Sequence, residues 1–177
     1  MKTKTKLQDA TISSQCSVVQ TLNIIGDKWS LILIREALYG VRKFSDFQER
    51  LGISKNILSK RLDKLVNNGI FIKSRTRPRV ERFEYTLTER GKELLPVIVA
   101  LMQWGDKWVY GNQGEPIVMF DRRSNAPIQK LGVFSVDGRY LRASDLSYEA
   151  GPGATDEMRA IVSEMLGSQT PENAGPD

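Results

Sequence analysis

From Val18 onward, short apolar groups alternate with polar breaks at spacings that define elements. Val18, Val19, Leu22, Ile24 and Ile25 predict a short buried helix that starts at Cys16 and is closed by Gly26. Asp27 is an N-cap residue type, so a second helix is expected over residues 28–39. Trp29, Leu31, Ile32, Leu33, Ile34, Ala37 and Leu38 cover nearly all of its sides, which predicts a helix central to the core. Gly40 is placed to end it. In Phe44-Ser45-Asp46-Phe47-Gln48, Ser45 with Gln48 three residues on is a capping-box pattern, and Phe44 can staple it. That helix is short and ends near Leu51-Gly52. Ser54 then caps another helix, which runs to about Asn67 and exits through Asn68-Gly69.

On this last helix Leu58, Leu62 and Leu65 fall within about 60° of one another and form a core stripe. Asn56, Ser59, Lys60, Asp63 and Asn67 lie on the opposite side. An apolar side backed by hydrogen-bonding side chains suits a helix that enters a major groove. Residues 70–74 read as a strand, residues 75–79 as a turn around Pro78, and residues 80–87 as an alternating second strand. The result is a hairpin tipped by Arg75, Arg77 and Arg79. Helix, short turn, helix and basic hairpin make the layout of a winged helix-turn-helix.

Thr88 is placed to cap a helix that continues to about Tyr110, kinked or delayed by Pro96. Leu94, Ile98, Leu101, Met102, Trp104 and Trp108 give it more apolar surface than a terminal helix on a three-helix core needs. With Val18 and Leu22 they form the expected dimer interface; packing within one chain is the alternative. Beyond a loop at 111–116, residues 117–120, 129–136 and 139–142 read as strands, with Asp137-Gly138 as a hairpin turn. Gly151-Pro152-Gly153 breaks the chain before a helix at 156–166, capped by Thr155. The expected class is α+β: a winged helix-turn-helix domain with a long C-terminal dimerisation helix, followed by a small β-rich appendage. Its parts are a flexible basic arm (1–15), the winged-helix and dimerisation domain (16–110), a β-rich extension (111–153), and a short helix with an acidic, partly disordered tail (154–177).

Composition narrows the function. The 177 residues are 40% apolar and 8% aromatic, enough for a core. No apolar run approaches the roughly 20 residues of a membrane span, and no apolar segment follows the basic start, so a cytoplasmic location is expected. The absence of histidine removes a Ser-His-Asp triad, a Cys-His dyad and any histidine-containing zinc site. Asp121, Asp137 and Asp145 show no implied pairing. Hence no catalytic residue, metal site or cofactor is expected, and the chain is read as a non-enzyme. Nine basic residues face two acids across 54–82, whereas seven acids face one arginine across 143–177. This asymmetry fits a polyanion-binding surface on one part of the chain. The lone Cys16 stands at a helix start, where the dipole favours a reactive thiolate. It equally fits a small buried apolar side chain.

The run Cys16-Ser17-Val18 to Ile25-Gly26-Asp27-Lys28-Trp29 resembles the opening of HxlR-type regulators, winged-helix relatives of the MarR group. Phe44-Ser45-Asp46-Phe47, Ile53-Ser54-Lys55, Leu58-Ser59-Lys60-Arg61-Leu62, Leu65, Asn68-Gly69-Ile70, Tyr85-Thr86-Leu87-Thr88, Gly91 and Trp104 agree in order and spacing. The resemblance implies homodimers that bind operator DNA and regulate nearby genes. It also implies that a cysteine placed like Cys16 serves some members as a redox or electrophile sensor. Some longer members carry an extension with cysteine pairs similar to a zinc ribbon; here that extension has neither cysteine nor histidine.

Candidate base contacts are Asn56, Ser59 and Lys60; Lys55, Arg61 and Lys64 are candidate phosphate contacts, and Ser54, at the start of the same helix, is a further candidate DNA contact. Arg75, Arg77 and Arg79 suit the backbone or a minor groove. Lys2, Lys4 and Lys6 can reach DNA or remain a solvated tail. The expected function is sequence-specific transcriptional regulation, as a repressor, by a homodimer on an inverted-repeat operator in double-stranded DNA. The alternatives are a redox or small-molecule sensor whose extension binds the signal, and a winged-helix protein-interaction module without DNA binding. Membrane partners are not expected.

Overall fold

The computed structural model describes residues 16–76 and 82–167. Lys2, Lys4 and Lys6, the wing-tip residues Arg77, Pro78 and Arg79, and the end of the acidic tail lie outside the described residues. The described residues form two compact units: those within 24–132, and residues 16–23 together with 133–167. In chain order the elements are α1 (Ser17–Ile25), α2 (Lys28–Leu38), α3 (Phe44–Leu51), α4 (Lys55–Asn67), β1 (Phe71–Arg75), β2 (Phe83–Leu87), α5 (Glu89–Lys92), α6 (Leu95–Gly105) and α7 (Asp156–Gly167).

The core of the larger unit is built as the periodicity predicts. Leu33 and Ile34 of α2, Phe47 of α3, and Leu58, Leu62 and Leu65 of α4 are fully buried, closed by Phe71 of β1 and Tyr85 of β2. Strands β1 and β2 pair antiparallel, from Phe71 opposite Leu87 to Arg75 opposite Phe83. A third extended piece escapes the sequence pattern: Lys43 bridges Glu84, and the Tyr85 amide donates to the Arg42 carbonyl at 2.8 Å. It is too short to show alternation, and it leads directly into α3.

Several expectations are corrected. Ser45 does not cap α3. The helix begins two residues earlier, behind Lys43 and without a side-chain cap, and the Ser45 hydroxyl donates to Asp46 instead. Thr88 does cap as expected, but α5 lasts only four residues before α6 begins at Leu95, with Pro96 in its first turn. There the missing N–H costs no helical bond. After Gly105 the chain widens into a π-helical turn, Asp106–Tyr110. Ile98, expected at the dimer interface, is 5% exposed and belongs to the core, so it is withdrawn from that surface. In the extension the expected strands reduce to single bridges, Phe120 to Pro127 and Phe134 to Tyr140. Each hairpin has only two arms there, and most of its side chains stay exposed, so nothing propagates a ladder. Asp137-Gly138 does form a turn, with Gly138 at φ 85° and the Ser135 amide bonded to the Arg139 carbonyl.

One interior charge carries no sequence signal. Glu36 of α2 is 3% exposed and accepts from Arg35 at 2.7 Å and from Arg50 of α3 at 2.6 Å. Burial would push its carboxyl up; the two arginines outweigh that and hold it below the usual range. The pair ties α2 to α3 beside the core.

At the base of the wing, the Thr88 hydroxyl donates to the Gly69 carbonyl at 2.7 Å and accepts from the Gly91 amide at 3.0 Å. A Cβ at Gly91 would lie 2.4 Å from the Ile70 carbonyl oxygen. That oxygen is fixed by the Thr88 amide at 3.0 Å, so it has little room to yield. Gly91→Ala is therefore expected to destabilise the fold by about 1–3 kcal/mol. This should read as a lower urea midpoint at unchanged slope; a wild-type midpoint would mean that α5 slides freely on the wing.

Candidate nucleic-acid interface

The turn between α3 and α4 sets the attitude of α4. Gly52 is left-handed at φ 59° and donates to the Gln48 carbonyl, Ile53 plugs into the core, and the Ser54 hydroxyl accepts from the Ile57 amide at 3.4 Å. With the leucine stripe turned inward, Lys55, Asn56, Ser59 and Lys60 project outward and are exposed. Lys55 and Lys60 have no ion pair among the described residues.

Arg61, Lys64, Lys73 and Arg75 are engaged. Arg61 and Lys64, half-buried, turn to the Asp27 carboxylate at 3.3 and 3.6 Å. Ser59 donates to Asp63 at 3.3 Å, and the other oxygen of Asp63 lies 3.8 Å from the Lys73 amine. Lys73 also stands over the rings of Phe83 and Tyr85, at 4.7 and 5.7 Å, and the Arg75 guanidinium lies 5.8 Å from the Phe83 ring. Asp63 and Lys73 thus join α4 to β1, and Arg75 brings its charge to the same side of the wing. The Thr76 amide donates to the Arg82 carbonyl, extending the wing past its strands.

Sequence reasoning passes over Ile57. It is 42% exposed and follows Asn56 on the outward side of α4. An apolar residue about 100° off the leucine stripe is the signal that marks it. Cys16 is half-exposed and immediately precedes α1, where its carbonyl accepts from the Gln20 amide at 2.9 Å.

On α6, Leu94 and Met102 are half-buried against the core. Val97, Leu101 and Trp104 recur at helical spacing and stay exposed, and Trp108 and Val109 add to them beyond the π-helical turn. Val18 and Leu22 of α1 are exposed as well.

Residues 24–113 match the model of the HxlR-like helix-turn-helix family. The chain belongs to that family. This HxlR-like chain, a transcriptional regulator by kinship, is 36% identical over 137 residues to Rv3095 of Mycobacterium tuberculosis, which is named as an HTH-type transcriptional regulator; the alignment covers 77% of this chain and 87% of the relative. Its fold matches the crystal structure of PA1607, a proposed transcription factor, with a TM-score of 0.73 at 34% identity, over 78% of this chain and 96% of the other. PA1374 of Pseudomonas aeruginosa follows, with a TM-score of 0.60 at 32% identity, over 82% of this chain and 99% of the other. These alignments are longer than the stretch from 24 to 113, so the shared part exceeds the family domain. Among the described residues no helix of this HxlR-like protein is long and apolar enough to cross a membrane.

Asp27 is the acid at the base of this surface. Burial would push its carboxyl up, but the side-chain and backbone hydrogen bonds from Ser30, with Arg61 and Lys64 alongside, outweigh that and hold it below its ordinary 3.8. A depressed pKa contributes stability that is fully present above the unfolded value and lost as pH falls through the folded one. Wild type should therefore exceed Asp27→Asn in stability at pH 6, since asparagine still caps but carries no charge. The gap should close as pH drops below about 3.8. Denaturant titrations of both proteins from pH 6 to pH 3 check this; a pH-independent gap would assign the effect to the hydrogen bonds alone.

Proposed function

We propose that the protein is a homodimeric DNA-binding repressor that reads an inverted-repeat operator with α4 and steadies the duplex with its wing. The observation that carries this reading is the outward face of α4. Asn56 and Lys60 stand exposed there, while Arg61, Lys64 and Lys73 are held by Asp27 and Asp63. Asparagine can read adenine and lysine guanine through the major groove; Ile57 adds an apolar contact for a thymine methyl. Lys55 at the start of α4 and Arg75 on the wing meet phosphates, and Arg77 and Arg79 extend the same role. Arg61 and Lys64 keep α4 in place and add positive potential from beneath.

The exposed row of Val97, Leu101, Trp104 and Trp108 supports dimerisation, because such an apolar surface marks association. A dimer carries two copies of α4, so its site is an inverted repeat with half-sites about 10 base pairs apart. Occupying two successive grooves excludes other proteins from that DNA, which supports repression as the sign.

Sedimentation at micromolar concentration should give about twice the 20.0 kDa chain mass, and Trp104→Ala with Leu101→Ala should shift it toward monomer. A wild-type monomer would overturn the dimer.

An operator can be selected from random DNA and compared with scrambled DNA at several salt concentrations. Lys60→Ala should lower the operator-to-scrambled ratio, by about 1–3 kcal/mol for each good bidentate base pairing removed. Arg75→Ala should weaken both DNAs alike and reduce the salt slope by about 1 for each phosphate it no longer meets. If selection yields no preferred site, the protein-interaction reading replaces this one.

A further inference from the structure

Within the unit of residues 24–132, the start of the extension folds back along α6 and leaves a cavity of about 580 Å³. Volumes of this order accommodate a small organic ligand. The cavity is lined by Val99 and Met102 of α6 and, from the extension, by Ile117, Val118, Met119 and Ile128.

Its spacing is held by a built-in strut. Gln103 of α6 donates through Nε2 to the Gln129 carbonyl at 3.2 Å and accepts through Oε1 from the Leu131 amide at 2.7 Å. Both ends of one side-chain amide are thus used on the backbone of the opposite wall. The far end of that wall is tied by the Ile128 amide to the Met119 carbonyl at 2.9 Å, and its turn by Asp121, which accepts from Arg123 and Ser124. Polar bonds therefore fix the hairpin beside α6 while the space between them stays open.

The lining has a distinct chemistry. It places one methionine on each wall among branched aliphatic side chains. Thioethers adapt to flat surfaces and make favourable contacts with aromatic rings. Asp106, Lys107, Glu115 and Lys130 also line the cavity, two acids and two bases, and none has an ion pair among the described residues. The Lys107 amine stands over the Trp108 ring at 4.5 Å. Balanced charge favours a ligand that forms hydrogen bonds without net charge.

We propose that this cavity is a binding site for a compact, net-neutral aromatic molecule, held between Met102 and Met119 and oriented by its polar lining. Met102 connects the site to the rest of the unit. It packs against the main core, and its sulfur accepts from the Tyr39 hydroxyl at 3.6 Å, at the end of α2. A ligand pressing on Met102 is therefore felt by the helix that carries Asp27. Any effect on operator affinity rests on the DNA-binding reading; the existence of the site does not.

The test uses the full chain and N-phenyl-1-naphthylamine, a neutral two-ring fluorophore, with its sulfonated analogue 1-anilinonaphthalene-8-sulfonate as the charged counterpart. The neutral dye should bind saturably at one per chain. Ile128→Trp and Met119→Trp, which fill the cavity from the hairpin wall, should weaken binding at least tenfold. Ile72→Ala, on the wing and off the cavity lining, should not. Binding unaffected by either filling variant overturns the proposal, as does binding lost through Ile72→Ala alone. Binding of the sulfonated dye only overturns the neutral class. Should a filling variant fail to fold, wild type labelled with 13C in its methionine methyl groups decides: the dye should shift Met102 and Met119 and leave Met158, in the other unit, unmoved. Unmoved Met102 and Met119 signals overturn the site. None of these readouts involves DNA, so their failure leaves the operator reading standing, and a failed operator selection leaves them intact.

Discussion

Asp27 accepts the Ser30 amide at 3.0 Å and the Ser30 hydroxyl at 2.6 Å, and with the same two oxygens it reaches Arg61 and Lys64 of α4. The first pair starts α2, the helix around which the core is assembled. The second holds α4 against it. Leucines alone let a helix rotate or slide by a few degrees, because hydrophobic burial is non-directional. A half-buried carboxylate facing two cations is directional and less screened than a surface pair. It therefore removes the slack that the leucine stripe leaves, and every statement about Asn56, Ile57 and Lys60 depends on that orientation.

The same arrangement changes how the basic segment is read. Counted along the chain, 54–82 is a dense run of positive charge. In space, three of its cations are tied to two acids: Arg61 and Lys64 to Asp27, and Lys73 to Asp63. These pairs position α4 and β1 while still contributing positive potential at longer range. Lys55 and Lys60 have no such tie among the described residues. The division separates residues that hold the surface in shape from residues available to a partner, and charge density alone does not draw it.

What is legible in the sequence is what periodicity and caps encode locally. Leu58, Leu62 and Leu65, the Asp27, Ser54 and Thr88 caps, the wing and the late start forced by Pro96 all follow from spacing within one or two turns. The misreadings arise where tertiary context decides. Ser45 has the composition of a cap, but the extended piece at Lys43 pairs with Glu84 and starts α3 two residues early. Glu36 looks like an ordinary helical acid until Arg50 arrives from α3. Ile98 reads as part of a surface stripe because α6 is apolar on nearly every side, which hides where one face ends and another begins. In the extension, apolar residues at alternating spacing read as strands, but among the described residues no additional arm pairs them into a sheet. Of the candidate site, the outward face of α4 is visible in sequence; the engagement of Arg61 and Lys64 is not, because their partner lies some thirty residues away, ahead of α2.

The all-round apolar character of α6 has a structural explanation. A helix of that kind is ordinarily buried on every side, yet Leu101 and Trp104 are exposed while Ile98 and Val99 are not. The helix serves three surfaces at once. Ile98 closes the main core, Val99 and Met102 line the cavity beneath the extension, and Val97, Leu101 and Trp104 form a row open to solvent. One element of eleven residues therefore borders the core that carries α4, a half-open pocket and an uncovered apolar face. Close-packed elements pass displacement to their neighbours rather than absorbing it. The three surfaces therefore share one backbone, and Met102 is the side chain common to core and cavity.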